Sequence, residues 1–219
     1  MALIDGEGLM RHLQDTKRRR VLRALLAAAF VGVSLVGAGF AMTDEADAAQ
    51  AAKPKVVFKT NMGDITVELE PARAPNTVAN FLSYVKEGRY DGTIFHRVIN
   101  NFMIQGGGFD KNYNRLPTRA PIQNEADKGL SNERGTIAMA RTSDPHSATD
   151  QFFINLKFNG SLDHRAKSDS GWGYTAFGRV TDGMNIVARI GLVKTGPGGP
   201  FPTDVPADPV VIEKATIVQ

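Results

Sequence analysis

The sequence predicts a mainly β fold. Three features point there: many short runs of β-branched and aromatic residues, turn-forming Asn, Gly and Pro between them, and only two segments with the spacing of an amphipathic helix. The pattern suits a barrel or a sandwich and does not by itself choose between them. With 219 residues, 42% hydrophobic and 8% aromatic, the chain can bury one good-sized core and leave residues over for a targeting segment. A net charge of +3 is mild, and the folded part has no stripe of Lys and Arg interleaved with aromatics, which argues against a nucleic-acid partner. The absence of cysteine excludes disulfides, thiolate metal sites, a cysteine nucleophile and a lipid-modified cysteine.

Taken in order, residues 1–48 are expected to form an export signal. Arg18, Arg19, Arg20 and Arg23 precede an uncharged stretch from Ala24 to Met42, and the small-x-small pattern Ala46-Asp47-Ala48 offers a cleavage site after Ala48. A run of about 19 uncharged residues also reaches bilayer-spanning length, so a retained inner-membrane anchor is the rival reading. About half the run is Ala, Gly or Ser, which bury little apolar area, and this favours cleavage. The Arg pair at 19 and 20 makes a twin-arginine route the second choice to ordinary secretion. Either route places the domain in the periplasm.

Residues 49–54 are a linker. Val56–Thr60 and Ile65–Leu69 then read as a hairpin turned at Asn61-Met62-Gly63-Asp64. Pro75-Asn76 opens a helix near 76–87, with Val78, Phe81, Leu82 and Val85 on one face and Gly88 as its stop. Further strands are expected at Gly135–Ala140, Gln151–Leu156, Tyr174–Val180 and Pro209–Val218, and a second helix at 182–190 from Met184, Val187 and Ile190.

The most informative stretch is Phe95 to Phe109. Two strands joined at Asn100-Asn101 would bring Arg97, Phe102, Met103 and Gln105 together, one cation and one amide beside an apolar surface. Standing alone, apolar strands with an arginine and a Gly triplet would read as plain scaffold. His96 alternates away from Arg97 and reads as a packed or hydrogen-bonded histidine.

Phe95-His96-Arg97-Val98-Ile99, a short turn and Phe102-Met103-Ile104-Gln105-Gly106-Gly107 resemble the signature of cyclophilins, the peptidyl-prolyl cis-trans isomerases. The resemblance covers roughly residues 55–219 and extends to Gly135–Ala140, Gln151–Asn155 and Phe177-Gly178 in the family's order. Leu162-Asp163-His164 and the Ser147-Ala148-Thr149 approach to Gln151 are most similar to bacterial exported members. What this implies is a closed eight-stranded antiparallel barrel capped by a helix at each open end, acting as a monomer on proline-containing polypeptides and unfolded exported proteins, with no cofactor. By the same resemblance Arg97 is the catalytic arginine and Gln105 holds the substrate backbone. Phe102, Met103, Phe153 and Leu162 would wall the proline pocket, with Ala140 and Arg141 along the neighbouring groove. Phe153 and Leu162 also read as simple core, and Arg141 as an exposed strand-end cation.

An X-Pro amide rotates slowly because nitrogen shares its lone pair with the carbonyl, giving a barrier of roughly 20 kcal/mol. A guanidinium aimed at the prolyl nitrogen would stabilise the twisted state, where that pair localises, with no base, nucleophile or metal. Two departures from many eukaryotic relatives stand out. Ser161 occupies the place of a tryptophan that helps bind cyclosporin, so weak cyclosporin binding is expected, and Tyr174 takes the place of a rim histidine. Trp172 lies in an insert. A hydrolase is disfavoured by the lack of Gly-x-Ser-x-Gly and by histidines at 12, 96, 146 and 164 without triad or metal spacing. The stronger alternative is a proline-peptide binding module or holdase that uses the same groove without turnover.

Overall fold

Strand β1 (Lys55–Thr60) opens the computed structural model, which describes residues 53–218. The expected export signal lies outside these residues, as does the linker up to 52. Strand β2 (Gly63–Leu69) pairs with β1 in the expected hairpin, in register from Lys55↔Glu68 to Thr60↔Gly63. One parity of this hairpin, Val56, Phe58, Ile65, Val67 and Leu69, is fully buried. The Thr60 hydroxyl closes the turn, donating to the Gly63 carbonyl at 2.6 Å and accepting the Met62 N–H at 3.1 Å.

Helix α1 (Pro75–Lys86) buries Val78, Phe81, Tyr84 and Val85, while Leu82 is half-buried. It starts on Pro75 and has no acidic residue in its first turn. Two of its first N–H groups are met from 49 and 48 residues further along the chain. Glu125 accepts from the Asn76 and Thr77 amides at 3.1 and 2.9 Å, placing a carboxylate at the positive end of the helix. Gly88, with φ of 65°, ends it as expected.

Strands β3 (Thr93–Ile94), β4 (Arg97–Ile99), β5 (Met103–Gly106), β6 (Thr136–Met139), β7 (Phe152–Asn155) and β8 (Ala176–Asp182) follow, then helix α2 (Met184–Ile190), strands β9 (Thr195–Gly198) and β10 (Phe201–Pro206), and β11 (Val211–Val218). Nine of the strands make one antiparallel sheet in the order β3-β11-β1-β2-β8-β6-β7-β5-β4. The first and last strands of that order are separated in the chain by Phe95 and His96 alone, so the sheet curls until its edges meet at a two-residue link. The mainly β architecture, with two α-helices among the described residues, is the expected one. The difference is local. Where an eight-stranded barrel would close on a single strand, this one divides into β3 and β4, and no ladder joins them. Phe95 and His96 break the run: both are buried, and the Phe95 N–H donates to the Val210 carbonyl at 2.9 Å.

Inside the curl lies one core, in which α1 contributes Val78, Phe81 and Val85 and α2 contributes Val187 and Ile190. Aromatic rings dominate it, with Phe58 stacked on Phe152 at 5.1 Å and Phe81 set edge-on to Phe152 at 5.9 Å. The β9/β10 hairpin stands apart as a two-stranded sheet and packs beside β4. It was not expected from the sequence. Its Thr195-Gly196-Pro197-Gly198-Gly199-Pro200 run has the composition of a loop, and what holds it is tertiary: the Phe201 ring sits 5.4 Å from His96 and 5.1 Å from Phe109.

His96 is 2% exposed, and its Nδ1 has no hydrogen-bond partner. Burial pushes its pKa from 6.5 down to about 4, so the ring stays neutral in the folded protein where the unfolded chain would protonate it. Between these values the unfolded state binds the extra proton. Stability is therefore full above pH 6.5 and falls as the pH drops through the window towards 4. His96→Phe, which keeps a ring among Phe109 and Phe201, should flatten the dependence of Tm on pH across that window. An unchanged slope in the variant would show that His96 is not the group responsible.

Candidate active site

The site forms on the outer face of the sheet because of register. Arg97 pairs with Gln105 across β4 and β5, Gln105 with Phe153 across β5 and β7, and Phe153 with Ala138 across β7 and β6. These residues form one row and share a face. The alternate residues Val98, Ile104, Ile154 and Ile137 point into the core. Ile99 and Met103 form the next row out.

Phe102 lies in the turn between β4 and β5, where Asn101 adopts φ of 53° and the Phe102 N–H donates to the Ile99 carbonyl at 3.1 Å. Its own carbonyl accepts from the Leu156 N–H and from Asn159 Nδ2, both at 2.9 Å. Behind the turn, buried amides are linked: Asn159 Nδ2 donates to Asn155 Oδ1 at 2.7 Å, and Asn155 Nδ2 donates to Asn132 Oδ1 at 3.2 Å. Asn132 reaches the Tyr174 carbonyl at 3.2 Å, and the Tyr174 N–H donates to the Leu162 carbonyl at 2.8 Å. Phe102, Leu162 and Tyr174 come from three separate segments and are tied to one polar frame. Nothing in the residue pattern marked these asparagines.

The result is a cavity of about 180 Å³ lined by Arg97, Phe102, Met103, Gln105, Ala140, Arg141, Phe153, Leu162 and Tyr174. All nine residues that the sequence reading placed at the pocket, its rim or the neighbouring groove meet here. Phe153 and Leu162 are wall residues outside the central core, and Met103, Ala138, Phe153 and Ala176 make a small apolar cluster of their own beneath the cavity. Phe153 and Tyr174 meet edge-on at 5.7 Å.

Arg141, also read from the sequence as an exposed strand-end cation, is corrected on that point. It is half-buried, donates from Nε to the Gly173 carbonyl at 2.9 Å, and lies 4.6 Å over the Tyr174 ring. Gln151, which the sequence reading placed in a motif but gave no role at the site, accepts at Oε1 from Gln105 Nε2 at 2.9 Å, which leaves the Gln105 carbonyl oxygen free to face a ligand. Just before it, the buried carboxylate of Asp150 bridges Arg89 at 2.6 Å and Arg115 at 3.2 Å. Among the described residues Arg97 has one ion-pair partner, Asp204, at 3.7 Å, and no cluster of residues suited to a metal occurs.

Such a pocket suits a compact apolar ring, held on an extended peptide that lies beside a fixed cation and an amide able to meet its backbone. A protein-family model described as cyclophilin type peptidyl-prolyl cis-trans isomerase matches residues 55–217. Peptidyl-prolyl cis-trans isomerase cyp18 of Streptomyces antibioticus is 58% identical over 163 residues, covering 74% of this chain and 98% of the relative. Peptidyl-prolyl cis-trans isomerase B of Escherichia coli is 53% identical over 162 residues, covering 74% and 98%. Among solved structures, a cyclophilin type isomerase of Cryptosporidium parvum, crystallised in the presence of the dipeptide Ala-Pro, superposes with a TM-score of 0.60 at 27% identity, covering 75% of this chain and 99% of that one. The chain belongs to the cyclophilin family and is a peptidyl-prolyl cis-trans isomerase.

Because Arg141 braces Tyr174, Arg141→Ala should lower stability by about 1 to 2 kcal/mol through the lost stack and hydrogen bond. It should also reduce kcat/KM on an Ala-Pro peptide. Arg141→Lys should not restore either, since an ammonium cannot stack and donate in the same plane. Unaltered unfolding and turnover in both variants would contradict the bracing role.

Proposed function

We propose that the cavity takes the proline ring of an X-Pro peptide and that Arg97 lowers the barrier to its rotation. The observation that carries this reading is the position of Arg97 on the rim of a small cavity whose other walls include Phe102, Met103, Phe153 and Leu162. The ring would sit on the apolar walls, with Gln105 holding the adjoining backbone. As the amide twists, its carbonyl can no longer conjugate with the nitrogen lone pair, and a guanidinium N–H can donate to that pair. The contact strengthens only in the twisted state, which is the requirement for catalysis rather than binding. His96 takes no part, being buried and neutral between Phe109 and Phe201. The binding-module alternative would use the same walls without needing Arg97.

The clients, on this reading, are unfolded proteins outside the cytoplasm, which the protein meets as a monomer in the periplasm. What supports this is the sequence of residues 1–48, with its arginine cluster, apolar run and Ala46-Asp47-Ala48. Cyclosporin is proposed to bind weakly, because Ser161 is exposed and offers a large apolar ligand almost no surface.

In a coupled-protease assay on an Ala-Pro peptide, Arg97→Ala should lose about a hundredfold in kcat/KM, equivalent to about 2.7 kcal/mol, with its unfolding curve intact. Arg97→Lys should also be poor, since a point charge lacks the guanidinium fork. Full activity in the Ala variant would remove Arg97 from the mechanism, and tight cyclosporin inhibition of the wild type in the same assay would remove Ser161 from the rim. For location, mass spectrometry of the protein expressed in a Gram-negative host should find a periplasmic species beginning near Ala49. An intact chain in washed membranes would instead identify Ala24–Met42 as an anchor.

A further inference from the structure

The β9/β10 hairpin has a feature that its own pairing does not require. Phe201 pairs with Gly198 and Val205 with Gly196, so Pro202, Thr203 and Asp204 stand opposite Pro197 alone. The strand bulges there. Asp204 adopts φ of 67°, in the left-handed region that Asp enters more readily than most residues. Bulges re-aim side chains and concentrate near functional sites. This one turns the Asp204 carboxylate towards Arg97, with Oδ2 3.7 Å from Nε.

The bulge is supported on both sides. Before it, Phe201 packs on His96 and Phe109. After it, Val205 is 2% exposed. The Tyr113 side chain lies so close to Gly198 and Gly199 that a Cβ would fall within 2.8 Å of its hydroxyl oxygen at the first and of its ring at the second. The hairpin is therefore a rigid arm whose one charged group next to the cavity rim is Asp204. Its contact is through Nε, which leaves both terminal nitrogens of the guanidinium to face a substrate.

We propose that Asp204 is the positioning residue for Arg97: the bulged hairpin holds a carboxylate against Nε and so keeps the flexible arginine side chain directed at the cavity. This rests on the reading of Arg97 as the catalytic cation. The buried histidine finds its place in the same scheme, as part of the floor on which the hairpin stands.

Asp204→Asn tests the proposal, because Asn keeps the size and tolerates the left-handed backbone while removing the charge. The expected result is a roughly threefold to fivefold fall in kcat/KM with an unchanged Tm, the range open to an ion pair this exposed. Two readouts separate positioning from a structural role. The deficit relative to wild type should shrink as salt is raised towards 1 M, where charge interactions are screened beyond about 3 Å. In an Arg97→Ala background the substitution should leave the residual rate unaltered. Equal or higher activity in Asp204→Asn, a deficit that persists at high salt, or an additive loss in the double variant would each overturn the proposal. An inactive Arg97→Ala with a fully active Asp204→Asn would overturn this inference alone. A fully active Arg97→Ala would overturn the mechanism beneath it.

Discussion

The register of β5 is the constraint on which the site depends. Arg97, Gln105 and Phe153 share a face only because Gln105 stands opposite both of the others. A slip of one residue would send Gln105 into the core and bring Ile104 out. The glycines after the strand help to pin it. Gly107 has φ of 87° and runs so near the Tyr90 ring that a Cβ would come within 2.8 Å. At Gly108 the backbone passes equally close to Arg115 and Gln151. The triplet is therefore less a loose loop than a close-packed exit that lets β5 end beside the Asp150 ion pairs.

Charge and apolar surface are separated in a way that suits a reaction without proton transfer. The buried carboxylate of Asp150 is neutralised by Arg89 and Arg115 on the polar side of Gln151, and removing it would strand a nearly buried guanidinium. Arg141 is tied to carbonyl oxygens and an aromatic face. Arg97, by contrast, remains about half exposed at the cavity. The polar frame of Asn132, Asn155 and Asn159 lies behind the walls, and the polar side chains that line the cavity itself are those of Arg97, Gln105, Arg141 and Tyr174. Its rigidity comes from satisfied hydrogen bonds that a ligand does not touch.

Much of this was legible in the residues. The β1/β2 hairpin follows from strict alternation around Asn61-Met62, and α1 from Val78, Phe81 and Val85 with Gly88 as stop. Arg97, Phe102, Met103 and Gln105 were found because they lie in one continuous local motif resembling a known family, and Ala140, Phe153, Leu162 and Tyr174 because later stretches resemble the same family in the same order. What could not be read was long-range. Glu125 as the cap of α1, the asparagine frame and the Gln105–Gln151 contact join residues tens of positions apart, and no local pattern encodes them. The β9/β10 hairpin was hidden for a related reason: its Gly- and Pro-rich composition has the propensity of a loop, and its order is imposed by Phe109, Tyr113 and His96. Arg141 was misjudged because a strand-end arginine usually faces solvent, whereas here Tyr174, held through Leu162 and Asn132, supplies a ring to cover.

The central claim is geometric, that the cavity receives the proline ring and Arg97 meets its nitrogen. A crystal structure with a bound Ala-Pro peptide tests it most directly. The expected complex has the ring enclosed by Phe102, Met103, Phe153 and Leu162, with a guanidinium nitrogen of Arg97 about 3 Å from the prolyl nitrogen or the carbonyl beside it. A peptide bound elsewhere on the sheet, or an Arg97 side chain turned away from a proline seated in the cavity, would contradict it.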